Sequence, residues 1–416
     1  MKKYFKKHIA LIILLVLAFS FPTSLSNQAR LNMRIIVTGL AIDKKEDEFE
    51  VTAQIVKTSP GNESGGISAE VNFLTDKDKT LLGAISKLSY KAGKVSVFSH
   101  TNFIIVGEEL AKTENLKSSL NYFLRDRIIK NTALILFSNG SASDEIKKTK
   151  NIELSVGLGL QKVYLFKERE CDGIMLTVLD FLNQSVSFSK TTTASMIELD
   201  SNEQENGESS GGEKTGSSGS SKTNSGRAGG EGGDAESYQY FKPIAPLVCF
   251  VDGVFKGKIE DQNQILGFML ANKNSKAEDF SLENVSGGKM ENLTVGVKME
   301  NKNIYKKIRY ENNIPYLEIC VTVEKSEIEE IQTKGLVTGL ENEEYQAIAL
   351  ALEKDIKTKI SACFEKSKEL DADMLGAYEL AYKHKHKQLT KNSSSPEEFL
   401  KALQLDVKVK IKSLEY

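Results

Sequence analysis

Residues 34–57, RIIVTGLAIDKKEDEFEVTAQIVK, contain two runs of β-branched residues separated by a charged segment. The first run is Arg34 to Asp43 and the second is Phe49 to Lys57. Runs of this length that are rich in Val, Ile and Thr predict strands, and the polar segment KKEDE between them predicts a turn. We therefore expect a β-hairpin near the start of the folded chain.

A mixed pattern of strands and helices follows the hairpin. Leu81, Leu82, Ile85 and Leu88 recur at helical spacing after Thr80, whose hydroxyl can cap a helix. Shorter apolar and helical runs predict strands at 69–73, 101–106 and 132–137 and helices at 108–112, 118–125 and 144–148. These elements predict an N-terminal α/β domain at 27–149, followed by a middle region at 150–200.

Residues 201–237 are rich in Gly and Ser and contain no aliphatic side chain larger than Ala. Such a segment buries too little apolar surface to offset the entropy lost on ordering, so it predicts a disordered linker. Its stretch Gly207–Thr215, GESSGGEKT, is similar to a phosphate-binding loop. Glu213, however, stands where that motif needs lysine, and no strand precedes it, so we expect no nucleotide site.

Residues 238–416, after the linker, predict a C-terminal α+β domain. Apolar residues alternate along 293–299 and 317–323, which predicts strands, and a third strand is expected between them at 304–309. A long amphipathic helix is expected at 342–366 and a last strand at 405–411. The whole chain is therefore expected to be a multidomain α+β protein, with two to three mixed domains in which helices pack on antiparallel sheets.

The first 26 residues have the order of a secretory signal. Lys2, Lys3, Lys6 and Lys7 precede the apolar run from Ile9 to Phe21, and small residues follow it. This run is short for a helix that spans a bilayer, which needs about 20 residues. We therefore expect the mature protein to work outside the cytoplasmic membrane. The net charge of −2 and the lack of a long basic patch exclude nucleic acid as an expected partner.

The residues that most often carry chemistry do not form a recognisable site. Cys171, Cys249, Cys320 and Cys363 are widely separated and lack CxxC spacing, so we expect core cysteines and no metal site. His100 precedes an apolar strand, and we expect it to be a buried structural histidine with a fixed hydrogen-bond partner. No nucleophile turn of the GxSxG type occurs.

Two segments of the C-terminal domain imitate metal-binding motifs. His384 and His386 lie among lysines, whose charge would repel a cation. Residues 371–376, DADMLG, resemble a calcium loop, but Leu375 and Tyr382 occupy positions that need oxygen ligands. We therefore predict no catalytic, metal or cofactor site and no small-molecule substrate. The charged pairs Glu108–Glu109 and Arg125–Asp126 are candidates for either structural ion pairs or partner contacts.

Several segments together resemble a known family. In chain order they are VTGLAIDK (37–44), VTAQIV (51–56), KTLLGAI (79–85), SHTNFIIVGEELA (99–111), LNYFLRD (120–126), LGFML (266–270), DADMLG (371–376) and the terminal VKVKI. The series resembles the C subunits of bacterial spore germinant receptors, the GerAC-type or Ger(x)C family. No single motif is diagnostic, but the order is specific.

The resemblance implies a non-enzymatic, extracytoplasmic subunit of a membrane receptor. It implies an elongated body of three α/β-type domains at the outer face of the spore inner membrane. The implied partners are an A subunit with membrane helices and a permease-like B subunit, which together detect nutrients and trigger germination.

The family normally carries a lipid-modified cysteine after the apolar run. Here the equivalent stretch SLSNQARLN (24–32) has none. We therefore expect no lipid anchor, and either cleavage near Ser26 or retention of residues 9–21 as an anchor.

A second class of function stays open at this stage, namely a secreted or surface-anchored binding or adhesion protein with a flexible stalk. The linker and the missing cysteine favour it, whereas the ordered motifs between Val37 and Asp126 oppose it. Neighbouring genes for A and B subunits would distinguish the receptor subunit from the adhesin.

Overall fold

The computed structural model describes residues 33–60, 67–125, 129–148, 174, 176–197, 199–200, 240–241, 246–272, 279–332 and 339–416. The predicted signal segment and linker lie outside the described residues, as do Cys171 and Asp126. The strands are β1 (Arg34–Lys45), β2 (Glu48–Pro60), β3 (Ile67–Asp78), β4 (Val95–Val97), β5 (Phe103–Val106), β6 (Leu134–Ser138), β7 (Thr191–Ile197), β8 (Leu199–Asp200), β9 (Tyr240–Phe241), β10 (Leu247–Val251), β11 (Val254–Ile259), β12 (Asp279–Gly287), β13 (Met290–Glu311), β14 (Ile314–Gln332), β15 (Gln404–Ile411) and β16 (Leu414–Glu415). The helices are α1 (Leu81–Ala92), α2 (Glu108–Thr113), α3 (Leu116–Arg125), α4 (Ala142–Lys148), α5 (Val178–Ser185), α6 (Gln262–Leu270), α7 (Asn342–Glu369), α8 (Ala377–His384), α9 (His386–Asn392) and α10 (Pro396–Ala402).

The first sheet is mixed and has helices on both faces. Its strand order is β11-β10-β7-β6-β5-β1-β2-β3, with β4 beside β1. The predicted hairpin is confirmed as the antiparallel pair β1–β2, and β1, β5, β6 and β7 pair in parallel along the centre of the sheet. One face packs apolar residues of α1, α2, α3 and α5 into a large core, and the other face packs α4.

The second sheet has the order β12-β13-β14-β15, with β16 also beside β14, and helix α7 crosses one face. Ile348, Leu352, Ile356 and Ile360 of α7 are fully buried, as their spacing predicted. The strands expected at 293–299 and 304–309 are a single strand, β13, whose register with β14 shifts between Met299 and Lys302. Such bulges bend a strand without ending it.

The predicted multidomain α+β fold is confirmed, and two details of it change. Both sheets contain parallel pairs in addition to the expected antiparallel ones, because β15 also runs parallel to β14. Strands β10 and β11 lie after the predicted linker, yet β10 pairs with β7 of the first sheet. Sheet membership therefore changes between Ile259 and Asp279, and the domain boundary at 238 stays a prediction. Within the described ranges, no helix is long and apolar enough to cross a membrane.

The central strands β1 and β5 approach closely because residue 39 has no side chain. Gly39 lies opposite Phe103, and a Cβ atom on Gly39 would stand 2.2 Å from the Phe103 ring. The aromatic ring occupies this space and is fully buried. The strand pair that forms the middle of the first sheet therefore requires glycine at this position.

The residue that is buried just before β5 is Thr101, not His100. His100 is exposed, so the prediction of a buried histidine with a fixed partner is wrong. Thr101 is fully buried, and its hydroxyl donates to the Val37 carbonyl at 3.4 Å. A short hydroxyl can hydrogen-bond the backbone inside the sheet core, whereas the larger imidazole stays in water.

A buried carboxylate helps to join the two sheet-bearing parts. The Asp373 side chain accepts hydrogen bonds from the backbone N–H groups of Ala377, Tyr378 and Glu379 at the start of α8. Its own backbone N–H donates to Thr191 Oγ1 of β7 at 3.0 Å. Burial raises the pKa of Asp373 to about 6, although the three backbone bonds act in the opposite direction.

We expect Gly39→Ala to lower the free energy of unfolding by about 1–3 kcal/mol, because the added methyl group overpacks the contact with Phe103. Gly296→Ala in β13 is the matched control, since its Cβ would meet Glu330 no closer than 3.4 Å. We expect the control to stay within about 0.5 kcal/mol of wild type in urea denaturation followed by circular dichroism. Equal effects of the two changes would contradict the close approach at Gly39.

Asp373 gives a pH-dependent contribution to stability. Its folded-state pKa of about 6 exceeds the ordinary value of 3.8, so the folded protein holds this proton more tightly. The contribution is therefore present below about pH 4 and is lost as the pH rises to about 6, a change on the order of 3 kcal/mol. We expect the pH dependence of unfolding to lack this component in Asp373→Asn and to keep it in the half-exposed control Asp371→Asn. A wild-type pH profile in Asp373→Asn would refute the assignment.

Candidate functional site

A charged cavity of about 340 Å³ lies at the carboxyl edge of the parallel strands in the first sheet. β1, β5 and β6 run in the same direction, so the residues that follow them meet at this edge. In open α/β sheets this edge is where binding sites are commonly built. The cavity is lined by Asp43, Lys44, Lys45, Glu108, Glu109, Lys112, Gly140 and Ser141.

Asp43, near the end of β1, anchors the floor of this site. Its two carboxylate oxygens accept hydrogen bonds from the backbone N–H groups of Ala142 and Ser143, each at 2.8 Å. These groups begin helix α4, where backbone donors lack partners within the helix. Burial nevertheless raises the pKa of Asp43, with the two backbone bonds opposing the shift. Asp43 is therefore a helix cap that links β1 to α4.

Gly107 allows the segment after β5 to pass close to Asp43. A Cβ atom on Gly107 would lie 2.0 Å from Asp43 Oδ1. The Gly107 N–H donates to the Ile42 carbonyl at 2.8 Å, and the Glu108 N–H donates to the Gly140 carbonyl at 2.9 Å. The segments VTGLAIDK and SHTNFIIVGEELA thus meet at Asp43 and Gly107, which explains the aspartate of the first segment and the glycine of the second.

Glu108 and Glu109 line the same cavity but have different surroundings. Glu108 Oε1 lies 2.7 Å from both Lys112 Nζ and Lys258 Nζ, and these two ammonium groups hold the pKa of Glu108 below its usual value. Glu108 therefore ties α2 to β11 as a structural ion pair. Glu109 is exposed to solvent at the rim. Of the two glutamates, Glu109 has the carboxylate that is available to a partner.

The other predicted pair is not part of this cavity. Arg125 is exposed at the last position of α3, away from the residues that line the cavity. Asp126 lies outside the described residues. The four candidate contact residues are therefore not brought together, and their role in partner binding stays a prediction.

The described cysteines and histidines are poor candidates for chemistry. Cys249 and Cys363 are buried, and burial raises the pKa of each thiol to about 12, which disfavours the reactive thiolate. Cys320, which was also expected in the core, is only half-buried, and desolvation and the neighbouring Glu318 raise its pKa. His384 and His386 are exposed. Among the described residues, no group of three or more His, Cys, Asp and Glu side chains is placed to hold a metal ion. Within the cavity, Asp43 is engaged by backbone N–H groups and Glu108 by lysines, whereas Glu109 stays exposed.

Two residues of this site were missed by sequence reasoning. Lys258 comes from β11, beyond the predicted linker, and no local pattern indicated that this strand would join the first sheet. Asp43 was treated as the end of a strand. The sequence around Asp43 did indicate a structural role, because a carboxylate within an apolar run requires a hydrogen-bond partner when it is buried.

Comparison with protein families gives two matches in chain order. Residues 27–199 match the model described as "Spore germination protein N-terminal domain". Residues 249–414 match the model described as "Spore germination B3/ GerAC like, C-terminal". The two matched ranges leave out little beyond the first 26 residues and the segment that contains the predicted linker.

Individual relatives agree with these models. The chain is 32% identical over 112 residues to spore germination protein B3 of Bacillus subtilis (strain 168), which covers 26% of this chain and 29% of that protein. It is 27% identical over 121 residues to spore germination protein KC of the same organism, covering 27% of this chain and 29% of the relative. The alignments thus span less than a third of each curated relative.

A solved structure described as the crystal structure of the GerBC protein is also similar. Its TM-score is 0.48 at 13% identity, over 90% of this chain and 96% of that chain. The predicted resemblance to the germinant-receptor C subunits is confirmed by the two family models. The chain belongs to the GerAC family of spore germination proteins.

Proposed function

We propose that this chain is the C-type subunit of a spore nutrient germinant receptor, acting without catalysis beside membrane A and B subunits. The observation that carries the proposal is the ordered match of both germination family models across the chain. Asp43 and Glu108 are held by backbone N–H groups and lysines, and the Cys249 and Cys363 thiols are buried, which supports a binding role over an enzymatic one.

The proposed location is the outer face of the spore inner membrane. The basic, apolar and small-residue order of the first 26 residues supports export across that membrane. The first cysteine in the sequence is Cys171, far from the apolar run, so we propose attachment without a lipid-modified cysteine. Contact with the partner subunits would then contribute to membrane retention.

Deletion of the gene in the native spore-former tests the proposed role. We expect slower release of dipicolinate from the deletion spores for at least one nutrient, because a receptor without its C subunit should not transmit the signal. The unchanged gene at a second locus should restore the rate, and dipicolinate release by a non-nutrient trigger serves as the control. Unaltered release across all nutrients tested would contradict the proposal.

A pair of adjacent substitutions tests the proposed partner contact at the cavity rim. We expect Glu109→Lys to leave the melting temperature unchanged and to reduce the amount of A and B subunit that co-purifies with this chain, because it reverses an exposed charge. Glu108→Gln is the matched comparison. It should lower the free energy of unfolding by about 1 kcal/mol, because the ties to Lys112 and Lys258 are weakened.

The two readouts separate a contact residue from a structural one. If Glu109→Lys lost stability in parallel with complex, the residue would act in folding and the rim would not be the contact. If complex and stability both stayed at the wild-type level, the partner contact would lie elsewhere, and the exposed Arg125 would be the next position to reverse.

A further inference from the structure

A run of exposed basic residues covers the surface formed by α8 and α9. From Leu380 to Pro396 the sequence contains no aspartate or glutamate. Its exposed basic side chains are those of Lys383, His384, Lys385, His386, Lys387 and Lys391. Lys383 pairs with Glu379 at 2.9 Å. Within the parts of the chain that the structure describes, Lys385, Lys387 and Lys391 have no carboxylate within ion-pair distance, so their positive charge is uncompensated.

The nearest acids along the chain begin helix α10 and are used there. The Glu398 carboxylate accepts hydrogen bonds from the N–H and hydroxyl of Ser394, each at 2.6 Å. Glu397 occupies the first turn of the same helix, where a negative charge is favoured by the helix dipole. These contacts direct the two glutamates to their own helix and leave the lysines of α9 unpaired.

Exposed apolar side chains lie in a loop that packs on helix α8. In the loop after α5, Val186 is 66% exposed and Phe188 is 46% exposed. The Phe188 ring stacks on Tyr382 of α8 with ring centroids 3.7 Å apart, and the Phe188 N–H donates to Glu379 at 3.2 Å. Tyr382 in turn contacts the His386 ring at 4.7 Å. The loop is thus fixed on the basic helices, and apolar and cationic groups share one surface.

The composition of this surface fits a lipid bilayer better than a protein. All of its fully charged residues are lysines, which are depleted in protein interfaces, whereas arginine is enriched there. A lysine is a flexible point charge that suits a diffuse layer of anionic headgroups, while aromatic and aliphatic side chains enter the interfacial region beneath them. An acidic protein could pair with the lysines, but it would not explain why every fully charged residue of the surface is lysine and none is arginine.

We propose that the lysine–aromatic surface, formed by Val186, Phe188, Tyr382, Lys385, Lys387 and Lys391, docks on a bilayer that contains anionic lipid. The inference rests on these side chains and does not depend on the proposed receptor role. A protein bound in this way would be held where the loop after α5 meets α8 and α9, in addition to any contact made by its N-terminal segment.

Vesicle binding by the full chain tests the role of charge. The triple change Lys385→Gln, Lys387→Gln and Lys391→Gln should weaken binding to vesicles of equal parts phosphatidylglycerol and phosphatidylcholine by roughly a hundredfold at low salt, since each lysine near an anionic surface contributes roughly fivefold. The control removes the same charge from Lys94, Lys354 and Lys410, which are exposed elsewhere. It should stay within a few-fold of wild type. Equal losses in both triples, or no loss in the first, would overturn the proposal.

A fluorescent reporter tests the docking geometry, because the chain contains no tryptophan. In Val186→Trp we expect the emission to shift to shorter wavelength on anionic vesicles and to be quenched by brominated lipid. Leu350→Trp, at a residue of α7 that is 65% exposed, is the matched control and should show neither change.

Each reporter senses only its own surroundings, so adhesion of the N-terminal apolar run to the vesicles cannot produce the Val186→Trp signal. An unshifted Val186→Trp spectrum on vesicles that bind the protein would overturn the proposal. If the lysines then proved necessary for binding a purified acidic protein, the surface would be a protein contact instead.

Discussion

Strand β10 is buried on both faces, and the arrangement of the two sheets depends on it. Leu247 and Cys249 point into the core of the second sheet, while Val248 and Phe250 point into the core of the first. Successive side chains of a strand face opposite sides, so five residues can belong to two cores at once. The pairing of β10 with β7 therefore holds the second sheet against the first, together with the contact between Asp373 and Thr191.

This shared strand accounts for the contacts around it. β11 follows β10 by a tight turn and brings Lys258 to Glu108 at the charged cavity. On the opposite side, Leu370, just after α7, packs so closely on Gly257 that a Cβ there would lie 2.6 Å from its side chain. The cavity of the first sheet and the long helix of the second are thus both positioned by the β10–β11 hairpin. A change that loosened the hairpin would disturb both regions together.

The sequence predicted those parts of the fold in which local patterns agree with long-range packing. The hairpin β1–β2, the Thr80 cap of α1 and the apolar stripe of α7 are of this kind, since the spacing of their residues depends on the element itself. Strands β10 and β11 were not predicted to belong to the first sheet. They belong to it because β10 pairs with β7 on the other side of the predicted linker, and no local sequence pattern indicates such a pairing. The merging of two expected strands into β13 has a similar cause, because a bulge interrupts the alternation of side chains but not the hydrogen-bonded ladder.

For the site, Glu108 and Glu109 were found by their charge, whereas Lys258 and the capping role of Asp43 became visible only when distant strands were placed side by side.

The described charged side chains differ in how far they are paired. Buried or partly buried carboxylates such as Asp43, Asp373 and Glu108 are each satisfied by backbone N–H groups or lysines, so they hold secondary-structure elements together. A satisfied polar group rigidifies its surroundings and offers little to a ligand. Exposed, uncompensated charge is instead concentrated at the surface, as a carboxylate at Glu109 and as lysines on α9. Glu109 and the lysine–aromatic surface lie on parts of the chain that are joined by the same strand β10. Docking of α8 and α9 on an anionic bilayer, as proposed above, would therefore constrain the position from which Glu109 can contact another protein.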